Sequence, residues 1–356
     1  MRRSVSGQAA RFAAAKNWFS RMNQTLATRR ALPPRRLSVA PMLDWTDRHY
    51  RYFARQITRH TWLYTEMVTT GALLNGDVAR HLRFDEAEHP VALQLGGSEP
   101  AELAACAKLA EQWGYDEVNL NVGCPSERVQ KGAFGACLMA EPKLVSDCVK
   151  AMRDVVDIDV TVKHRIGIDQ IEHYDYLREF VDTVAEAGCR TFIVHARNAI
   201  LKGLSPKENR EIPPLKYDYV YRLKRERPDL EILINGGVKT NAEIAEHLQH
   251  VDGVMVGREA YHNPWLMAEW DAQFYGDAAA GPERAAVVEA MMPYVAARLG
   301  DGSNVRHIAR HILGLFQGLP GARNWRRMLS DSKLLDGADA GLLRQAYEAT
   351  LAGRRA

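Results

Sequence analysis

From Leu37 onward, short apolar runs rich in β-branched residues alternate with longer segments whose apolar positions recur at helical spacing. This is the pattern of repeated βα units and a parallel sheet. Eight such runs are present: Leu37–Pro41, Trp62–Glu66, Val91–Leu95, Glu117–Asn121, Asp159–Lys163, Thr191–His195, Glu231–Asn235 and Gly253–Val256. Helical patterns such as Pro100–Trp113 and Tyr174–Ala187 lie between them. Eight strands predict an α/β TIM (β/α)8 barrel; a doubly wound sheet usually has fewer strands and a glycine-rich turn after the first, which is absent here. After residue 282 the β-branched runs stop, and Arg284–Leu299, Val305–Phe316, Asn324–Ser330 and Ala340–Leu351 carry helical spacing. The predicted organisation is an N-terminal extension over 1–36, a barrel over 37–282 and an all-helical domain over 283–356.

Composition refines this picture. At 356 residues and 46% hydrophobic content the chain can bury a large core, and no apolar run approaches the ~20 residues needed to cross a bilayer. The five cysteines, Cys106, Cys124, Cys137, Cys148 and Cys189, have no metal-ligand spacing and are odd in number, which predicts reduced thiols, no metal and a reducing, cytoplasmic setting. The net charge of +3 hides an asymmetry: residues 1–36 hold nine basic residues (Arg2, Arg3, Arg11, Lys16, Arg21, Arg29, Arg30, Arg35, Arg36) and no acidic one. That segment reads as a disordered basic extension, whether inert leader, import signal or RNA-contacting arm. Overall charge therefore does not identify a polyanion partner, and local clusters must carry that inference.

In a TIM barrel the active site is built at the C-terminal ends of the strands. Polar residues stand there in this chain: Gln94 at the end of strand three, Asn121 at the end of strand four with Cys124 just beyond it, Lys163 and Arg165 at the end of strand five, His195 at the end of strand six, Asn235 at the end of strand seven and Arg258 after strand eight. A lone strand-end lysine or histidine is more often a satisfied structural residue, but convergence on one rim would be costly if the rim were dry. Asn235-Gly236-Gly237 and Gly257-Arg258 place small residues and free backbone N–H groups at two successive βα turns, which suits a phosphate. Gln94, Lys163 and His195 could read the edge of a planar ring, and Lys163 would stabilise the anionic edge of a reduced flavin. Cys124, between Gly123 and Pro125, is expected to be exposed; buried, inert packing is expected of the other four thiols.

The run Asn119-Leu120-Asn121-Val122-Gly123-Cys124-Pro125, with Ala40-Pro41-Met42 upstream and Asn235-Gly236-Gly237 and Gly257-Arg258 downstream, resembles the tRNA-dihydrouridine synthases. The resemblance runs from Leu37 to about Ser330, and the segment Gly203–Leu215 is similar to that of the bacterial subgroup acting on positions 20 and 20a of the tRNA D-loop. It implies an oxidoreductase with FMN in the barrel, NADPH as reductant and a helical domain that grips tRNA; a monomer is expected. FMN would touch Pro41, Met42, Leu43, Gln94, Lys163, His195, Asn235, Gly236, Gly237, Gly257 and Arg258; Leu43 stands where the family often has methionine. Asn121 and Arg165 would face the uracil, and Cys124 would be the proton donor. The chemistry agrees: hydride delivered to uracil C6 pushes charge toward C5 and O4, and a thiol of ordinary pKa near ~8.5 is mostly protonated at pH 7 and can donate.

RNA grip is expected from Asn304–Arg327, which carries Arg306, His307, Arg310, His311, Arg323, Arg326 and Arg327 without an acidic residue, and has Trp325 among its arginines. Arginine interleaved with an aromatic suits RNA; a solvated basic face is the alternative, and the resemblance favours RNA. Lys207 and Arg210 would add contacts from the loop after strand six. Two rival readings stand beside this one: an FMN barrel acting on a small molecule, of dihydroorotate dehydrogenase type, which leaves the basic tail unexplained, and a non-catalytic tRNA-binding protein, which leaves the strand-end chemistry unexplained.

Overall fold

Eight parallel strands close on themselves in sequence order: β1 (Leu37–Val39), β2 (Trp62–Thr69), β3 (Val91–Gly96), β4 (Glu117–Val122), β5 (Asp159–Arg165), β6 (Thr191–His195), β7 (Glu231–Asn235) and β8 (Gly253–Val256). Closure is made by β1, which pairs Ser38 with Trp62 on one side and with Met255 on the other. The computed structural model describes residues 31–279 and 281–355. Arg2, Arg3, Arg11, Lys16, Arg21, Arg29 and Arg30 of the basic extension lie outside the described residues.

Most strands are largely apolar because both of their faces are covered, by the barrel interior and by the surrounding helices, whereas β4 and β5 send polar residues into the barrel interior. The helices relevant below are α1 (Arg48–Arg55), α2 (Pro100–Gln112), α3 (Pro142–Arg153), α4 (Tyr174–Glu186), α5 (Tyr217–Glu226), α6 (Asn241–His247) and α7 (Arg258–His262). α4 buries Leu177, Phe180, Val181 and Val184 at helical spacing against the strands, and α3 buries Val145, Cys148, Val149 and Met152 likewise. β2 runs three residues beyond the predicted Glu66 and shifts register against β3 between Tyr64 and Met67, a bulge that re-aims Thr65 and Glu66.

Arg35 corrects the boundary of the extension. It is buried at the N-terminal end of the barrel, with Nε 2.7 Å from Glu117, Nη2 2.5 Å from Asp159 and Nη1 3.1 Å from Glu231, and its guanidinium lies 4.5 Å from the Trp62 ring. Three carboxylates from three strands turn what reads as leader charge into a plug. The backbone carbonyl of Arg36 also accepts from Val254 N–H at 2.8 Å.

The helices α8 (Arg284–Gly300), α9 (Val305–Ile312), α10 (Ala322–Ser330) and α11 (Gly341–Arg355) form the C-terminal helical region, which belongs to the same compact unit as the barrel. It docks on α1. Tyr52 stacks on Tyr294 at 3.9 Å, His49 Nδ1 lies 2.8 Å from the Tyr294 hydroxyl, and His311 Nε2 lies 3.0 Å from the Asp47 carboxylate that caps α1. His311 is thus a buried docking residue and not part of a basic face. Trp325 is also buried, with its indole N–H donating to the Ile312 carbonyl at 2.9 Å and Phe316 packed at 4.8 Å. The helical period of α10 puts Ala322, Trp325 and Leu329 inside and Arg323, Arg326 and Arg327 outside, so the aromatic does not interleave with the arginines on the surface.

Candidate active site

Polar residues Glu117, Asn119 and Asn121 alternate on β4 with Val118, Leu120 and Val122, and the strand's period of two sends the polar set to one face. That face is a column of hydrogen bonds. Tyr64 and Thr161 hydroxyls donate to Glu117 at 2.7 and 2.6 Å, Asn119 Nδ2 donates to Thr161 at 2.8 Å, Gln94 Nε2 donates to Asn119 Oδ1 at 2.8 Å, and Asn121 Nδ2 donates to Gln94 Oε1 at 2.8 Å. At the top, Asn121 Oδ1 accepts from the backbone N–H groups of Gly123 and Cys124 at 3.1 and 3.0 Å. The donors run head to tail from the Cys124 turn to the carboxylate that Arg35 neutralises, an arrangement in which each bond polarises the next. Asn121, expected to face the substrate, spends its carbonyl on holding the cysteine loop.

Above the column the strand ends surround a cavity of about 2220 Å³. A pocket for one small ligand usually measures ~300–1,000 Å³, so this one has room for two. Its wall includes Pro41, Met42, Gln94, Asn121, Cys124, Lys163, Arg165, His195, Asn235, Gly236, Gly237, Gly257 and Arg258. The thiol of Cys124 is half-buried; Cys106, Cys148 and Cys189 are buried. Cys137 departs from expectation: it is half-buried in the turn Gly135–Ala140, its Sγ 3.1 Å from the Phe134 carbonyl.

Cations dominate one half of the wall. Burial, and then the charge of Arg165, lower Lys163 to about 7, while Cys124 acts in the opposite sense; its Nζ donates to Asn235 Oδ1 at 3.1 Å. Burial, followed by Arg165, Lys163, Arg197 and Arg210, holds His195 well below the usual imidazole range, so the ring is neutral. Arg165 donates from Nε to the Gly123 carbonyl at 3.2 Å and from Nη1 to the Asn198 and Asn209 carbonyls at 3.3 and 2.9 Å. Groups that repel one another this strongly call for an anion.

The two glycine turns supply the matching donors. Gly236 (φ +117) and Gly237 (φ +76) adopt backbone conformations that side chains rarely take, and a Cβ on Gly236 would stand 2.6 Å from the His195 ring. The N–H groups of Gly236, Gly237, Val238, Gly257 and Arg258 meet no backbone or side-chain acceptor among the described residues. Both turns line the cavity.

The remaining predicted residues lie further out. Leu43 sits on the lip, 69% exposed. Arg210 lines the cavity, whereas Lys207, on the same loop, is exposed and off the wall. Arg323, Arg326 and Arg327 are exposed on α10 and likewise do not reach the cavity. The structure adds wall residues that the sequence does not single out, Glu66 from the β2 bulge, Arg197, Glu211 and, around the mouth, Arg48, Arg80 and Arg83; His307 and Arg310, from the basic segment expected to grip RNA, join them there. The alternating Glu-Val-Asn-Leu-Asn of β4 is a signal from which the column could have been read.

The family model described as dihydrouridine synthase (Dus) matches residues 38–351. The chain belongs to the dihydrouridine synthase family. It is 61% identical over 314 residues to the tRNA-dihydrouridine(20/20a) synthase of Shewanella oneidensis, covering 88% of this chain and 93% of that one. It is similarly 61% identical over 319 residues to the enzyme of that name from Salmonella typhimurium (89% and 96%), and 63% identical over 296 residues to that from Pseudomonas aeruginosa (83% and 89%). Among the described residues of this family member no helix is long and apolar enough to cross a membrane.

Proposed function

We propose that this chain reduces uridine at positions 20 and 20a of the tRNA D-loop to dihydrouridine, with FMN as cofactor, NADPH as reductant and Cys124 as proton donor. The observation that carries the reading is a single cavity whose wall combines a thiol, a cationic half and two glycine turns with unpaired N–H groups. A terminal phosphate suits the turns: a Cβ at Gly236 or Gly237 would run into His195, Leu215 or the Tyr217 hydroxyl, so glycine is needed for the backbone to lie as it does there, and Arg258 adds charge. Gln94, Lys163, His195 and Asn235 would meet the polar edge of the ring system, with Pro41, Met42 and Leu43 giving apolar contact.

The chemistry FMN would supply when bound is hydride transfer to uracil C6, with NADPH as the reductant. The protein's part is to hold the base, exclude water and deliver a proton. Cys124 would hold that proton for C5, its loop fixed by Asn121 and Arg165. A base inside folded tRNA must leave its stack to enter the cavity, so the enzyme needs purchase on surrounding phosphates, for which the basic mouth is suited.

Two measurements test the reading. Purified protein should be yellow and release FMN on denaturation; release of FAD or of no flavin after reconstitution would contradict the cofactor. Mass-spectrometric mapping of tRNA from a deletion strain should show dihydrouridine missing at 20 and 20a and restored with the gene. A yellow protein without tRNA affinity would favour the small-molecule reductase, and a colourless one with affinity the binding protein.

A further inference from the structure

The segment after β6 touches both glycine turns and lines the cavity beside them. Leu215 packs beneath Gly236 and Gly237, where added Cβ atoms would approach its methyl groups to 3.2 and 2.7 Å. Tyr217 donates its hydroxyl to the Gly236 carbonyl at 2.6 Å. Glu211 accepts from Arg258 Nη1 at 2.5 Å, and the Arg210 carbonyl lies 3.5 Å from Arg258 Nη2. Arg197 donates to the backbone carbonyls of Glu211 and Pro213, which fixes the segment from the barrel side. Arg210–Tyr217 is therefore one wall of the site formed by the two turns.

We infer that Glu211 is the positioning residue of the phosphate site, and that its carboxylate fixes the Arg258 guanidinium so that the remaining donors of the fork are presented to a terminal phosphate. This rests on the FMN reading and goes beyond it. An arginine fork offers five N–H donors in one plane. With Nη1 held by Glu211 and Nη2 only weakly engaged, Nε and most of Nη2 have no acceptor among the described residues. Glu211 and Arg258 both line the cavity. Unheld, an arginine beside Arg197 and Arg210 would be pushed outward by like charge and would lose rotamer freedom on binding. Glu211 offsets both: it neutralises part of the cluster and selects the rotamer in advance. A carboxylate near an anion site also repels the ligand, so the sign of its effect decides between positioning and competition.

The test is the preference of the flavin-stripped full-length protein for FMN over riboflavin, which lacks the phosphate, followed by flavin fluorescence. Glu211→Ala should lower that preference about two- to five-fold, the range of an exposed ion pair, by weakening FMN and leaving riboflavin unchanged. In an Arg258→Ala background the same substitution should have no effect, because the cycle removes the partner through which Glu211 acts. Glu211→Asp should recover part of the loss. A raised preference would overturn the inference by making Glu211 a competitor, and an unchanged one would overturn it too, by making Glu211 idle where both affinities stay at the wild-type value and a structural prop where both fall equally. Wild-type protein that binds both flavins equally would overturn the phosphate site itself, and this inference with it; wild-type preference with a neutral Glu211→Ala overturns only the role of Glu211.

Discussion

Arg165 donates from Nε to the carbonyl of Gly123, 3.2 Å away, and Gly123 immediately precedes the cysteine that faces the cavity. The same guanidinium holds the Asn198 and Asn209 carbonyls, so it ties the cysteine turn to the loop after β6. Hydrogen bonds from a charged donor contribute about 1.5–3 kcal/mol each. Arg165→Met, which keeps the bulk, should therefore slow reoxidation of the reduced flavin by tRNA by at least about 10-fold. Arg165→Lys cannot span three carbonyls and should recover little. Single-turnover flavin absorbance measures both; a wild-type rate in Arg165→Met would show that the turn holds itself.

Lys163 makes the cavity pH-dependent. Burial lowers it from 10.5 to about 7, with Arg165 adding to the shift. A lysine lowered on folding binds fewer protons folded than unfolded between those two values, so its penalty on stability is full below about pH 7 and is relieved as pH rises toward 10.5. An anionic ligand acts in reverse, by favouring the charged amine. Binding of reduced FMN, anionic at the ring edge that Lys163 would meet, to stripped protein at pH 8 should accordingly take up about one proton, read from anaerobic calorimetry in buffers of different ionisation enthalpy. Lys163→Met should abolish the uptake. Equal uptake by both proteins would move the titration to another group.

The strands are legible in the sequence because a strand covered on both faces is a largely apolar run, and each of the eight begins where that run begins. The extension of β2 to Thr69 is not, since a bulge interrupts the pattern at Thr65 and Glu66. Strand-end polar residues can be placed on the rim because topology alone puts them there. Their partners cannot: Arg35 finds Glu117, Asp159 and Glu231 only when three strands close, and Arg258 meets Glu211 only through the fold of an intervening loop. Composition sends Trp325 to a surface, although the spacing of Ala322, Trp325 and Leu329 marks an inner face. Similarity to the relatives establishes the family, and the geometry of the cavity is what points to roles for its individual residues.

Two basic surfaces flank the cavity differently. Arg80 and Arg83 are exposed at its mouth, whereas Arg323, Arg326 and Arg327 lie away from it on α10. Replacing either set with alanine should weaken tRNA binding and flatten its salt dependence by about 0.7–0.9 log units for each phosphate that is no longer neutralised. Filter binding across a salt series reads the slope. A slope unchanged by Arg323→Ala, Arg326→Ala and Arg327→Ala together would assign α10 to solvent and leave the grip to the mouth.

Cys124 divides the reaction into halves that can be measured apart. Reduction of the flavin by NADPH requires no proton at uracil C5, so Cys124→Ala should lower its rate little, while reoxidation by tRNA should slow sharply. A positioned general acid contributes ~10²–10⁴-fold, equivalent to about 3–5 kcal/mol, and water entering the vacated space recovers only part of that. Cys124→Ser should be nearly as slow, because a serine hydroxyl is a far weaker acid of similar size. The rival possibility is that the side chain only packs the turn, whose backbone N–H is already held by Asn121 at 3.0 Å. Packing predicts that serine behaves as wild type and that alanine costs stability or tRNA affinity. Stopped-flow absorbance of the flavin, with and without tRNA, separates the two: reoxidation of the alanine variant at the wild-type rate would remove Cys124 from proton transfer.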